Sequence, residues 1–378
     1  MSFQELGMNE QFIQALKKQN ITKPTQVQAD VYSKILDHKD LIVQSKTGSG
    51  KTLAYLVPLF EKYRELEKTN KVIILVPTQE LAMQVHRQIQ TLSTNSGLDI
   101  KSVPIFGNIN IERQIERLRV KPQIIVGTSA RIIELIKKKK IAAHTVKTIV
   151  LDEADKLLDK NNISNTKDLI KCTMKDRQLL FFSASISPKS LEQAKELAKD
   201  PIILKPKQKE DKIPSTIQHM YVVTEARDKI ETLRKLVRAQ NGKKSMIFIN
   251  GSWEIEEATQ KLKYHKMNAE CIYGGVNKQE RQKAIEDFKN NKISCLIATD
   301  IAARGLHFDG VDTVFHLSIP EDPMDYLHRA GRTGRNGMKG TSILIVTKQE
   351  LARVKSYQKA FGINILAKKL YQGKIVRA

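Results

Sequence analysis

Cysteine is nearly missing from this chain. Cys172, Cys271 and Cys295 are its only three in 378 residues, far apart and without a C-x-x-C pair. That excludes a zinc framework of paired thiolates and a disulfide-stapled fold, and a reducing, cytoplasmic setting is expected. Long apolar runs are missing too. No stretch reaches the ~20 consecutive apolar residues of a membrane span, so no membrane partner of that kind is expected. The first residues, MSFQELGMNEQF, lack the basic-then-apolar order of a secretory leader, and none is expected. Acidic residues are in short supply: 41 Asp and Glu face 64 Lys and Arg, a net charge of +23. An excess of that size calls for a polyanionic partner, either nucleic acid or an anionic surface. Its spread through both halves favours an extended groove along a phosphate backbone. The tail KKLYQGKIVRA (368–378) is expected to be short and basic, without a long Gly/Arg-rich or Ser/Arg-rich extension.

What is present is ordinary globular composition, 40% hydrophobic and 28% charged, in a length that suggests two domains. Apolar runs at 40–44, 71–77, 123–128, 148–153 and 178–185 alternate with helical patterns such as QELAMQVHRQIQTLS. Each run is continuous rather than alternating, as expected for parallel strands buried on both faces. The fold class expected is α/β, a mostly parallel sheet flanked by helices. The segment 204–218 breaks this rhythm: it is Lys-rich, carries Pro206 and Pro214 and has no apolar period. Strand-like runs then resume with HMYVVT, SMIFIN, AECIYG, SCLIAT, TVFHLS and TSILIVT. The expected organisation is an N-terminal domain over 1–205, a linker over 206–215 and a second α/β domain over 216–378. The run Lys137–Lys140 ends a helical pattern and is expected to be a solvated helix end matched to the helix dipole.

Two motifs carry chemistry. SKTGSGKT (45–52) stands between the run 40–44 and the apolar helix start LAYLVPLF, the strand–loop–helix setting of a phosphate loop. Ser45, Lys46, Thr47, Gly48, Ser49 and Gly50 are expected to wrap phosphates with backbone amides. Lys51 is expected to reach the β- and γ-phosphates, and Thr52 to hold Mg²⁺. TIVLDEAD then places Asp152 directly after an apolar run, as a second Mg²⁺ holder, with Glu153 beside it to orient or deprotonate water. An acidic helix start would explain one such acid, but not two after a strand in a chain with a phosphate loop. The pair makes ATP, or a related nucleotide, the expected cofactor and hydrolysis the expected reaction. A third motif, YLHRAGRTGR (326–335), holds three arginines in ten residues and by itself reads as a phosphate-binding patch.

With DEAD at 152–155, the phosphate loop before it and HRAGRTGR after it, the chain resembles DEAD-box ATP-dependent RNA helicases of the minimal two-domain bacterial type. The resemblance runs from Phe3 to about Thr347, with the motifs in the family's order. It implies two RecA-like domains, RNA-stimulated ATP hydrolysis, and local RNA unwinding or remodelling without strong sequence specificity. ITKPTQVQ (21–28) resembles the adenine-reading segment, which implies adenine recognition by Gln28 and stacking by Phe3. FFSAS (181–185) resembles the family's Ser-Ala-Thr motif, with Ser185 in place of Thr, and implies coupling through Ser183 and Ser185 together with Asp155.

The RNA-facing motifs are similar but less regular. Pro77, Thr78 and Gln79 stand in PTQELA, where Gln79 replaces an arginine. Gly107 falls where a Gly-Gly pair is usual. Thr128 and Arg131 survive in TSAR, with Ser129 and Ala130 departing from the pattern. Asn250, Arg281 and Thr299 match contacts of the second domain, with Lys278 replacing a glutamine. Gly305 is implied at the nucleotide, while His307 stands where the family has an aspartate that contacts the ribose. Arg332 and Arg335 are implied as arginine fingers, with His328 and Arg329 linking them to the rest of the domain. RNA is thus the implied partner and ATP with Mg²⁺ the implied cofactors. The chain is expected to act as a monomer; protein partners are not readable. An ATPase acting on DNA and an ATP-gated RNA clamp are the competing readings.

Overall fold

Runs of Val, Ile, Leu and Phe too apolar to face water on either side have to be covered twice, and both sheets of this protein are layered in that way. The computed structural model describes the chain except for residues 46–47, 65–68, 108, 206–215, 241–242, 304–305, 307, 309 and 335–336. The expected linker therefore lies outside the described residues. The chain divides into two compact units, Met1–Gln208 and Lys209–Ala378.

The first unit holds strands β1 (Leu41–Gln44), β2 (Val72–Leu75), β3 (Ser102–Ile105), β4 (Ile124–Gly127), β5 (Thr148–Asp152), β6 (Gln178–Ser183) and β7 (Ile202–Leu204). They form one sheet in the order β3-β4-β2-β5-β6-β1-β7, with every neighbouring pair parallel. Successive residues point to opposite faces. Leu41, Val43, Ile74, Leu180 and Phe182 enter the core on one side, and Ile42, Ile73, Leu151, Leu179 and Phe181 enter it on the other. Each fully buried side chain of this size contributes about 1.5–3 kcal/mol relative to exposure.

The second unit holds β8 (Ile217–Val223), β9 (Ser245–Phe248), β10 (Ala269–Ile272), β11 (Cys295–Ala298), β12 (Thr313–His316), β13 (Gly340–Val346), β14 (Ile365–Tyr371) and β15 (Lys374–Arg377). Their order is β10-β11-β9-β12-β13-β8-β14-β15, parallel except for the terminal β14–β15 hairpin. Two expectations need correction here. Residues 368–378 are not a tail but lie in this hairpin, closed by Gln372 and Gly373, both at positive φ. The segment 204–218 is also less irregular than expected, because Leu204 ends β7 and Ile217 starts β8. The lysines at 137–140 end the helix Ser129–Lys137 and are exposed.

Candidate active site

In a parallel sheet all strands end on one edge, and the loops leaving that edge share a crevice. β1, β5 and β6 are neighbours, so the loops after them meet. Leaving β1, Ser45 donates its backbone N–H to the Ser183 carbonyl at 2.9 Å, which fixes the loop to β6. Gly48 and Gly50 take φ of 79° and 87°, a left-handed backbone that glycine adopts without steric cost. Gly50 also caps the helix Lys51–Tyr63. A Cβ there would lie 2.6 Å from Gln28 Nε2, so any other residue would displace that amide as well as strain the backbone. Both ends of the Gln28 amide are anchored and each keeps one further hydrogen-bonding position: its Oε1 accepts from Thr25 N at 3.0 Å, and its Nε2 donates to the Gly50 carbonyl at 3.3 Å. Phe3 is buried and lines one small pocket with Gln28, Met8, Tyr32, Leu53 and Pro58. Phe3 and Gln28, 25 residues apart, are thus brought to one place.

Lys51 is half-buried and donates to the Ser45 carbonyl at 2.6 Å; Ser45 Oγ donates to Ser49 Oγ at 2.7 Å. Removal from water pushes the Lys51 ammonium down to about 8, against the pull of Asp152, Glu153 and Asp155. Asp152 ends β5 and is buried. Burial raises its pKa, opposed by Lys51 and by the Tyr55 hydroxyl, which donates to Oδ2 at 2.9 Å. Tyr55 also hydrogen-bonds Thr52, so Thr52, Tyr55 and Asp152 form one chain of oxygens. The other Asp152 oxygen accepts from Glu153 N at 3.0 Å. This bond helps hold Glu153 at φ 54° and ψ 50°, a left-handed conformation that costs a non-glycine residue about 1–3 kcal/mol and concentrates at functional sites. Ser183 at the end of β6 donates to Asp155 and also to the Ser185 carbonyl at 2.6 Å. Asp155 and Ser183 are therefore in direct contact.

The other half of the same edge, β3-β4-β2, carries the residues expected to face RNA. Thr78 caps the helix Gln79–Ser96, with its hydroxyl accepting from Leu81 N at 3.3 Å. Pro77 precedes it half-buried, and Gln79 donates to Glu80 Oε1 at 3.0 Å. Thr128 precedes the helix Ser129–Lys137, whose Arg131 reaches the Ile109 carbonyl at 3.0 Å and Glu134 at 3.0 Å. Gly107 follows β3, with open space where a Cβ would sit.

In the second unit Arg329 is the centre. It is 1% exposed and grips Asp300 with two bonds, at 2.6 and 2.5 Å. It also donates to the Ser318 carbonyl, lies 3.5 Å from Asn250 Oδ1 and stacks over the Phe248 ring at 5.1 Å. Asn250 donates its N–H to Ser318 Oγ at 3.0 Å. Thr299 precedes Asp300 and accepts from Ala302 N at 3.1 Å, and Arg281 donates to the Ala302 carbonyl at 2.9 Å. Asn250, Arg281, Thr299 and Arg329 thus form one bonded group. His328 lies 4.0 Å from Asp325, and Arg332 donates to the Leu306 carbonyl at 2.6 Å. Lys46, Thr47, Gly305, His307 and Arg335 lie outside the described residues.

Three contributors were not anticipated. Tyr55 stands three and four positions after Thr52 and Lys51, hence on their side of the helix, and that spacing could have exposed it. Asp300, next to Thr299, is Arg329's counter-ion. Gly127 ends β4 where a Cβ would lie 1.7 Å from the Ile105 carbonyl, which accepts from Thr128 N.

A DEAD/DEAH box helicase family model matches residues 25–194, and a helicase conserved C-terminal domain model matches residues 228–337. The chain is 38% identical to the DEAD-box ATP-dependent RNA helicase CshC of Bacillus cereus, over 96% of this chain and 92% of that one. It is equally similar, at 38%, to the probable ATP-dependent RNA helicase YfmL of Bacillus subtilis, over 93% and 92%. The structure of S. cerevisiae Dbp5 bound to RNA and ADP BeF3 matches with a TM-score of 0.87 at 28% identity, covering 97% of this chain and 95% of that one. Among the described residues no helix is long and apolar enough to cross a membrane. A phosphate loop braced against β6, an acidic pair at the end of β5 and relatives aligned along nearly the whole chain give one answer: the chain belongs to the DEAD-box ATP-dependent RNA helicases, enzymes that couple ATP hydrolysis to the unwinding or remodelling of RNA.

Proposed function

We propose that ATP binds over the loop 45–52 and the ends of β5 and β6, and that RNA controls its turnover. The observation that carries this reading is Lys51, a lysine withdrawn from water with its pKa pushed down to about 8. At about 8 the ammonium is still mostly charged at neutral pH, and a triphosphate is the anion that would compensate it in place of water. Ser45 to Gly50 wrap the phosphates, Gln28 and Phe3 hold the adenine, and Gly305 lies at the nucleotide. Thr52 and Asp152 supply hard oxygen donors joined through Tyr55, a donor set that suits Mg²⁺. Bound there, Mg²⁺ would offset charge developing on the phosphates. Glu153 orients the attacking water, and Arg332 and Arg335 stabilise the transition state.

RNA runs along Pro77, Thr78, Gln79, Gly107, Thr128 and Arg131 in one domain and Asn250, Arg281 and Thr299 in the other. It is held by its backbone with little base readout. Asp155, Ser183 and Ser185 on one side, with His328 and Arg329 on the other, couple RNA occupancy to hydrolysis. The domains are 1–205 and 216–378 with 206–215 as the linker, and the protein works as a cytoplasmic monomer.

ATPase rates with RNA and with DNA of the same sequence test the reading. RNA should stimulate strongly and DNA weakly; equal stimulation sinks it. Glu153→Gln should retain RNA in the presence of ATP while losing about a thousandfold in turnover. Prompt RNA release from that variant would remove Glu153 from its assigned role.

A further inference from the structure

The positive charge is not evenly shared. Residues 351–378 contain seven Lys and Arg and no Asp or Glu, so this segment supplies +7 of the net +23. It is fully structured, as the helix Leu351–Phe361 followed by β14 and β15 at one lateral edge of the second sheet. The helix packs inward through Val354 and Tyr357, beside Ile365 of β14, and leaves Lys355 and Lys359 exposed, one turn apart. On the hairpin, Ile365, Lys369 and Tyr371 share one face, since side chains alternate along a strand. Tyr371 pairs in register with Lys374. This face therefore continues outward from the helix as Lys369, Tyr371 and Lys374, all exposed, with Tyr371 60% exposed at the tip. The opposite face packs Leu370 and Ile375 against the core and sets Lys368 opposite Arg377.

The positive-φ pair Gln372–Gly373 is the tight two-residue turn whose twist suits a hairpin, so these groups project from a stiff support. Arg353 is ion-paired to Glu321. Among the described residues none of the other six cations makes an ion pair. Fixed like charges held together without counter-ions repel one another, and they are relieved by a ligand carrying evenly spaced negative charge. An exposed tyrosine among them adds a flat surface for a base.

We propose that this helix and hairpin form an additional RNA-binding surface, directed at the phosphodiester backbone, that tethers RNA beyond the loops at the carboxyl edges of the sheets. The inference rests on the RNA reading above. The surface sits apart from those loops along the sheet: β12, β13 and β8 separate β14 from β9. It therefore governs how tightly RNA is held rather than how fast ATP is cleaved.

The test is the RNA concentration that half-stimulates ATPase, measured against salt for the full chain and for K369Q/K374Q, which alters only the face of Tyr371. That concentration should rise about tenfold near 0.1 M salt. The slope of log affinity on log salt should flatten by about 0.7 for each phosphate that is no longer neutralised, with turnover at saturating RNA unchanged. K355Q/K359Q, altered only on an exposed helix face, should shift the same way by less and covers the event that the hairpin variant misfolds. Unchanged affinity and slope in both variants overturn the proposal, as does reduced turnover at saturating RNA. Loss of binding to anionic vesicles with RNA affinity intact would reassign the surface to lipid and overturn it as well. If RNA fails to stimulate even the wild-type ATPase, it is the RNA reading that falls, together with this inference.

Discussion

The two units are wound identically. Counting strands from the start of each, β3-β4-β2-β5-β6-β1-β7 and β10-β11-β9-β12-β13-β8-β14 are the same order, and only β15 is extra. What differs is the carboxyl edge. After β1, Lys51 begins a helix and is withdrawn from water among Asp152, Glu153 and Asp155, which leaves its pKa near 8. After β8, the strand in the same position, Lys229 begins the helix Lys229–Ala239. Its ammonium is already occupied, 2.7 Å from Glu350 and 3.1 Å from the Leu317 carbonyl. After β5 stand Asp152 and Glu153. After β12 stand Leu317 and Ser318, whose carbonyls accept from Lys229 and Arg329. One edge gathers a desolvated lysine and an acidic pair, and the other ties its lysine to Glu350. The comparison shows how little of the chemistry belongs to the sheet and how much to the loops grafted on it.

The sharpest way to break this contrast is to remove the two lysines in turn. Lys51→Ala should lower ATP turnover by about a thousandfold or more with a modest effect on melting. Lys229→Ala should leave turnover within a few-fold and instead lower the melting temperature of the second unit. Steady-state ATPase assays and calorimetry separate the two; equal kinetic effects would dissolve the contrast.

Next in size is Arg329→Ala. It leaves Asp300 without its counter-ion and removes the donor that serves the Ser318 carbonyl and Asn250 Oδ1, and should destabilise the second unit by about 3–5 kcal/mol. The first unit's melting, followed in the same calorimetric scan, should stay fixed.

The smallest effect is that of a single pH unit of mild acid, and acid has opposite signs in the two units. His219 in the second unit is buried, and burial brings its pKa down to about 4; His316 is held well below its usual range by burial, by Arg329 and by His219. The unfolded chain binds protons at these histidines from about pH 6.5, whereas the folded unit refuses them. Stability is therefore lost as pH falls below 6.5, at up to about 1.4 kcal/mol per pH unit for His219 down to about 4, and His316 adds a loss in the same direction. Asp40 and Asp152 in the first unit have pKa values raised by burial, so near their titration the folded state binds the proton more readily and acid favours it. Acid unfolding should begin in the second unit, as followed by hydrogen exchange along the chain.

The strands that were legible in the sequence are mostly central ones, β1, β2, β4, β5 and β6, because burial on both faces demands an unbroken apolar run. Those that escaped sit at or next to edges: β3 (SVPI), β7, and the pair β14–β15. There one side or one end faces water, and lysines interrupt the apolar signal. The motifs of the phosphate loop and of DEAD were legible because each is contiguous. Tyr55 and Asp300 were not, because their meaning comes from partners 97 and 29 residues away, Asp152 and Arg329. Glu153's left-handed backbone was equally invisible, since its residue type does not favour it.

Gln28 has a consequence for how this protein could evolve. Its amide closes the start of its own helix at Thr25 and braces Gly50, the residue on which the next helix and the phosphate loop both turn. On the proposed adenine contact, a replacement of Gln28 that alters base preference also alters the brace of the phosphate loop, so both properties are tied to one side chain.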